Sequence, residues 1–322
     1  MGRTVLITGA AGYIGRLTVK ALQEERGDSD AIEKILALDV AEVAPAEKLD
    51  GIHYLADDIC SPGLADLMRQ HSVDVVVHLA TLVRVPKGAP KDLAYRVDVE
   101  GTRNVLEACK AAGAKRLVVT SSGAAYGYHG DNPEWLDEED ALRGNDDFPY
   151  SRHKRMVEEM LAQWRADYPA LKQLVFRPGT VVGPEVHSPV TDLFEKPVMI
   201  GVAGSSSPFV FIWDDDLVQC LVEGVLGDKT GIYNQAGDGA VAPRELAKMM
   251  RKRYVPFPPA LLRIVLRTLK AVGLSEGGPE RIKFLQHRPV LSNRRLKEEF
   301  GYIPRKSSKE AFIHYASSRG LL

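Results

Sequence analysis

Cysteine is scarce in this chain. Cys60, Cys109 and Cys220 are widely spaced, odd in number and form no C-x-x-C pair. That excludes a disulfide framework and fits reduced thiols acting as small buried apolar side chains. The eight histidines include no H-E-x-x-H and no Cys/His cluster at metal-ligand spacing, so no metal is expected. An excess of either charge is missing too: 42 Lys plus Arg stand against 43 Asp plus Glu, which argues against nucleic acid as a partner and against an acidic disordered tail. No apolar run reaches the roughly 18 residues of a membrane span. The opening MGRTVLITG runs straight into a strand-like segment, leaving no room for a signal peptide. Leu6 stands where an N-myristoylation motif needs Ser or Thr. A cytoplasmic protein is the expectation.

What is present is a regular alternation. Short apolar runs at 3–9, 34–40, 51–57, 73–80, 115–122 and 172–179 are separated by helical stretches. Apolar runs that are continuous rather than alternating mean strands covered on both faces, and intervening helices make βαβ units. The predicted fold is α/β, a doubly wound parallel sheet of Rossmann type over 1–177, followed by a smaller C-terminal substrate lobe over 178–322. The lobe is expected to interleave with the sheet through the strand-like GIYNQAG at 231–237. Two helices are read in it, over 214–226 and 258–274. In the second, Arg263, Arg267 and Lys270 recur among leucines: a solvated basic face on a lobe-packing helix, or a membrane-surface face.

In doubly wound sheets ligands bind beyond the carboxyl ends of the strands. After the first run comes TGAAGYIG, with Gly9, Gly12 and Gly15 in the spacing G-x-x-G-x-x-G. Glycine there permits a tight turn, and a dinucleotide pyrophosphate can rest on the N–H groups of the following helix. Asp39 ends the second run, where a carboxylate would bind the adenosine ribose hydroxyls and repel a 2′-phosphate, favouring NAD over NADP; the other reading is a strand-end turn aspartate. After the third run, Asp58 and Ile59 are placed to read the adenine edge, or else Asp57 and Asp58 decorate a turn before a helix capped by Ser61 and begun by Pro62. Leu79, Ala80 and Thr81 follow the fourth run where the cofactor backbone would pass, with His78 a packing residue.

The fifth run ends at Ser122, and Tyr150 and Lys154 begin a later helix. Tyr-x-x-x-Lys occurs three times here, but Tyr168/Lys172 and Tyr302/Lys306 enclose Pro169 and Pro304. Only Tyr150 and Lys154 have an unbroken helical register that stacks them one turn apart. A phenol is a poor base near its ordinary pKa of about 10. A neighbouring ammonium and a positive nicotinamide ring favour the phenolate, so Tyr150 could move a substrate proton while Ser122 holds the substrate oxygen.

With these residues assembled, the chain resembles the extended short-chain dehydrogenase/reductase family, also described as the NAD-dependent epimerase/dehydratase family. The resemblance rests on TGAAGYIG, Asp39, ADDI, HLA, VDVEGTRNVLEAC, VVTSSGAAYG, YSRHK, FRPGTVVGP and FIWDDDLV, in the family's order over roughly 3–220. It implies a Ser122, Tyr150 and Lys154 triad, with Lys154 also on the nicotinamide ribose. It implies NAD held by Gly9, Gly12, Tyr13, Ile14, Gly15, Asp39, Asp58, Ile59, Leu79, Ala80, Thr81, Tyr150, Lys154 and Pro178. Substrate contacts would come from Thr81, Ser122, Gly123 and Tyr150. Helices over 91–112 and 150–168 would pair across a two-fold axis, making a homodimer.

The chain departs from the family at Asp98, where Asn is usual, and lacks both the Asn and the Arg with which nucleotide-sugar members grip a diphosphate. That favours an NAD-dependent oxidoreductase acting on a secondary alcohol or ketone of a less charged, non-nucleotide small molecule, with Phe209, Phe211 and Trp213 as apolar lobe residues. Arg84, Lys87 or Arg177 could still supply charge, although Arg177 could instead pair with an acid. The runner-up is a nucleotide-sugar epimerase or dehydratase with tightly held, recycled NAD; a non-catalytic dinucleotide sensor is the distant third.

Overall fold

The six apolar runs become six strands of one sheet, the inner ones with side chains buried on both faces and the edge run at 51–57 only partly covered. In the computed structural model, which describes residues 2–28, 31–86, 88–271, 278 and 281–322, these are β1 (Arg3–Thr8), β2 (Ile32–Asp39), β3 (Ile52–Ala56), β4 (Val75–His78), β5 (Arg116–Thr120) and β6 (Lys172–Pro178). β7 (Thr180–Val182), β8 (Val198–Val202) and β9 (Phe211–Trp213) pair elsewhere, and β10 (Gly231–Gln235) returns to the sheet edge; β11 (Arg253–Phe257) pairs with β8. The sheet order is β10-β6-β5-β4-β1-β2-β3, and its pairs from β6 to β3 are parallel. The chain runs outward from β1 to β3 and restarts at β4 on β1's other side. The β1/β4 border is therefore the point where strand order reverses, the place where sheets of this kind bind their ligands.

The helices are α1 (Tyr13–Asp28), α2 (Leu64–Gln70), α3 (Leu93–Tyr95), α4 (Thr102–Ala112), α5 (Pro149–Asp167), α6 (Thr191–Glu195), α7 (Asp214–Leu226), α8 (Pro243–Met249), α9 (Pro259–Ala271), α10 (Arg281–Gln286) and α11 (Ser308–Ser318). Among the described residues no helix is long and apolar enough to cross a membrane. The helix read over 91–112 is divided: Arg96–Gly101 forms a wider turn between α3 and α4, where a Cβ on Gly101 would lie 2.4 Å from Ile59 Cδ1. α4 stops at Gly113, whose φ of 75° a side chain would strain, with Ala114 N–H closing on the Cys109 carbonyl at 2.9 Å.

The chain divides into two compact units: 1–121 with 156–177 and 214–233, and 122–155 with 178–213 and 234–322. The first holds most of the sheet around Leu6, Leu36, Val76, Leu117 and Val175. The second is centred on stacked rings, with Phe209 and Phe211 buried against Phe194, Phe312 and Tyr315. Phe209 and Phe211, read from the sequence as apolar lobe residues, are thus part of this unit's core. α5 belongs to both units, its first turns to the second and the rest to the first.

Candidate active site

In the first unit the glycine turn is built by contact rather than by composition. Gly9 has φ 72°, and a Cβ there would lie 2.6 Å from the Ala80 amide nitrogen; one on Gly15 would lie 2.1 Å from the Gly9 carbonyl. No larger residue fits either place. The turn therefore lies against Leu79 and Ala80, bringing Gly9, Gly12, Tyr13, Ile14 and Gly15 together with the segment after β4. The first-turn N–H groups of α1, from Tyr13 onward, have no acceptor within the helix, as an anion-holding helix start requires.

Asp39 closes the other side. One of its oxygens accepts from Ala11 N and the other from Ala41 N, both at 3.0 Å. Each carboxylate oxygen retains further acceptor capacity, so the group is held in place and can still receive hydroxyl donors. A cavity of about 190 Å³ lies beside it, lined by Ala10, Asp39, Val43, Tyr54 and Ala56 among others. The Tyr13 hydroxyl donates to Asp214 at the start of α7. Burial pushes the Asp214 carboxyl above its usual range, and this bond opposes the shift.

Asp58 behaves as a turn residue as well: Oδ1 accepts from Cys60 N at 2.9 Å, and Arg96 lies 3.9 Å from Oδ2. Ile59 is buried in the core, with its carbonyl taken by Asn104 Nδ2. The expected helix start at Ser61 and Pro62 is displaced to Leu64. Asn104 also binds the Ser61 carbonyl, and Ser61 Oγ accepts from Gly63 N at 3.3 Å, which holds this stretch as a turn. Burial pushes the Cys109 thiol up to about 12, and burial with Asp58 pushes Cys60 up to about 11, so both are protonated thiols at neutral pH. Among the described residues no set of His, Cys, Asp or Glu gathers as a metal site.

A chain of hydrogen bonds runs across the β1/β4 border. Asp98 is buried, and its Oδ1 accepts from Thr81 Oγ1 at 2.8 Å and Leu82 N at 3.0 Å. Thr102 Oγ1 donates to the Asp98 carbonyl at 2.6 Å and contacts His78 Nε2 at 3.0 Å; His78 Nδ1 meets Thr8 Oγ1 at 2.7 Å. Thr102 has one proton and directs it to Asp98, so Nε2 of His78 carries the ring proton and Nδ1 accepts from Thr8. His78 is a structural link rather than an acid or base.

In the second unit Ser122 is extended, with φ −165° and ψ 149°, and caps a short helical turn over Gly123–Tyr126; its Oγ accepts from Ala124 N at 3.1 Å. Accepting that bond leaves the hydroxyl its own proton to donate. Gly123 is buried, where a Cβ would lie 2.9 Å from Leu291 Cδ1. Pro149 opens α5, the place where proline's missing N–H is harmless. Tyr150 is half-buried, Lys154 is buried, and Lys154 Nζ lies 5.7 Å from the Tyr150 ring centroid. Tyr168 follows α5 and Tyr302 lies in a loop, so neither rival Tyr-x-x-x-Lys pair sits on a helix. Pro178 ends β6.

Three residues that sequence reading passed over complete this half. Ser151 Oγ donates to the Ala124 carbonyl at 2.6 Å and accepts from Asn145 N at 3.0 Å; Asn145 Oδ1 in turn accepts from Tyr128 N at 2.7 Å. Arg288 has its guanidinium 3.7 Å from the Phe209 ring centroid and 4.7 Å from Phe284, and donates to the Ser207 carbonyl. Among the described residues no carboxylate pairs with it, and burial lowers it to about 9, still charged at neutral pH. Tyr128 packs edge-on against both Phe148 and Phe284, linking the approach to α5 with the Arg288 box. Arg177, by contrast, is held by Glu158 in a buried bidentate pair with both contacts at 2.7 Å, which removes it as a substrate ligand. Lys87 lies outside the described residues, and Arg84 is exposed.

Residues 5–200 match the NAD dependent epimerase/dehydratase family. The chain is 34% identical to UDP-glucose 4-epimerase of Mus musculus over 168 residues, covering 49% of this chain and 47% of that one. Its fold is similar to that of MoeE5 in complex with UDP-glucuronic acid and NAD, with a TM-score of 0.73 at 21% identity, covering 98% of this chain and 99% of that one. It is also similar to UDP-glucose 4-epimerase of Thermus thermophilus in complex with NAD, with a TM-score of 0.70 at 23% identity over 99% of this chain and 100% of that one.

Proposed function

The chain belongs to the NAD dependent epimerase/dehydratase family, whose members are enzymes, and on that premise we propose an oxidoreductase of the extended short-chain dehydrogenase/reductase type. Its reaction would move hydride between the nicotinamide and the carbon of a secondary alcohol or ketone. The observation that carries this reading is local to the second unit. Ser151 ties the turn of Ser122 to the helix start of Tyr150, while Lys154 lies buried one turn further on.

The glycine turn and Asp39 fit a dinucleotide, since a Cβ is excluded at Gly9 and Gly15 and the carboxylate is already oriented. Gly9, Gly12, Tyr13, Ile14 and Gly15 would hold the pyrophosphate, Asp39 the adenosine ribose, and Leu79 to Thr81 the passing backbone. Bound NAD supplies the hydride acceptor or donor. Tyr150 would take or return the substrate hydroxyl proton, Lys154 would favour its phenolate, and Ser122 would donate to the substrate oxygen. Tyr150→Phe should abolish turnover while NAD still binds; surviving turnover removes Tyr150 from the mechanism.

A non-nucleotide substrate follows from the missing diphosphate grip noted above. One observation favours the second reading, an epimerase or dehydratase of a nucleotide sugar: Arg288, a half-buried cation without a carboxylate, suits an anionic substrate. Net NADH formation from a secondary alcohol supports the first reading, and conversion of a UDP- or dTDP-sugar without net NADH supports the second. A homodimer through α4 and α5, resident in the cytoplasm, belongs to the same proposal; light scattering that finds only the 35.4 kDa monomer refutes the dimer.

A further inference from the structure

Helix α9 presents three different faces. Leu262 and Leu266 pack with Val202, Phe257 and Ile282. A second face carries Leu261, Ile264 and Val265, which are 45%, 62% and 43% exposed, at helical spacing that Thr268 and Ala271 continue. Arg263 and Arg267, one turn apart and exposed, occupy the third. Neither arginine has an ion pair or hydrogen bond to any described residue, and 259–271 contains no acidic residue. On β8, Ile200, on the strand face of Val202, is 51% exposed as well.

Single exposed aliphatic side chains need no explanation, but a stripe of three on one helix does. Charge decides the occupant. A second copy of α9 would bring arginine to arginine with no carboxylate between them, whereas anionic headgroups provide the missing counter-charge. Long arginine stems can lie along an apolar boundary and still reach phosphates. The helix is too short to span a bilayer, and its Leu262 face already anchors it to the protein. We infer that α9 docks this protein, peripherally, on an anionic lipid surface, with Leu261, Ile264 and Val265 entering the interface and Arg263 and Arg267 on the headgroups.

The test is flotation of the full chain with vesicles of phosphatidylcholine alone or mixed with phosphatidylserine. Binding should require phosphatidylserine and weaken as salt rises. Arg263→Gln with Arg267→Gln should weaken it about thirty-fold. Ile264→Ser with Val265→Ser should abolish it, and both double variants should keep NAD affinity and melting temperature. No binding at low salt, binding that both variants retain, or a self-association that Ile264→Ser with Val265→Ser dissolves in the absence of vesicles would each overturn the inference.

Discussion

Ser151 Oγ donates to the Ala124 carbonyl across 2.6 Å, so the residue beside Tyr150 fastens the turn that Ser122 caps. Ser151→Ala leaves that carbonyl and Asn145 N without their partner in a buried place. A loss of about 1–3 kcal/mol is expected in urea unfolding. Turnover should fall further than the fraction unfolded accounts for, because Ser122 and Tyr150 lose their common anchor. Ser151→Thr, which keeps the hydroxyl, should recover most of both.

Asp98 separates two roles that its position could serve. Its Oδ1 accepts from Thr81 Oγ1 and Leu82 N, and an amide oxygen can do the same. Asp98→Asn should therefore preserve NAD affinity, measured by titration of intrinsic fluorescence, whereas Asp98→Ala should weaken it by releasing the segment after β4. If Asp98→Asn is as damaging as Asp98→Ala, the charge matters and the positioning account fails.

The sheet and the glycine turn were legible because they depend on neighbours in sequence: continuous apolar runs and glycines in one turn. The three Tyr-x-x-x-Lys matches could be sorted for the same reason, since proline's effect is local. What was hidden depends on distant residues. The wider turn at Arg96–Gly101 reflects Ile59 pressing on Gly101, and the late start of α2 reflects Asn104 taking the carbonyls before it. Phe209 and Phe211 read as apolar lobe residues, but their partners, rings from α6 and α11, lie elsewhere in the chain and could not be read from it. Arg288 gave no local signal at all, because Phe209 and Ser207 come from another part of the chain.

Tyr13 and Asp214 offer a pH test. Burial raises the Asp214 carboxyl, so the folded state holds that proton more tightly than the unfolded chain, and its contribution to stability is lost as pH rises through the carboxylate range. The Tyr13 hydroxyl opposes that loss by binding the ionised form. Tyr13→Phe should cost about 1.5–3 kcal/mol near pH 7. The cost should shrink as pH falls into the acid range and Asp214 takes up its proton. Guanidinium unfolding across that range checks the slope, and an equal cost at both ends would contradict this assignment.

Arg288 is the residue where stability and activity should part. Its guanidinium sits between Phe209 and Phe284 without a carboxylate, so enclosing it opposes folding. Folded and unfolded chains both keep this proton at neutral pH; the folded-state value of about 9 means the penalty eases only above that pH. Arg288→Met retains the volume and the ring contacts while removing the charge and the bonds to Ser207, two opposed effects that should leave stability within about 1–1.5 kcal/mol of the unaltered enzyme's. The same change should raise KM for an anionic substrate and leave NAD affinity alone. Substrate binding by the unaltered enzyme should weaken as pH passes about 9, and that dependence should vanish in Arg288→Met. A variant that unfolds more easily yet keeps its KM would make Arg288 a strut of the aromatic box rather than a substrate ligand.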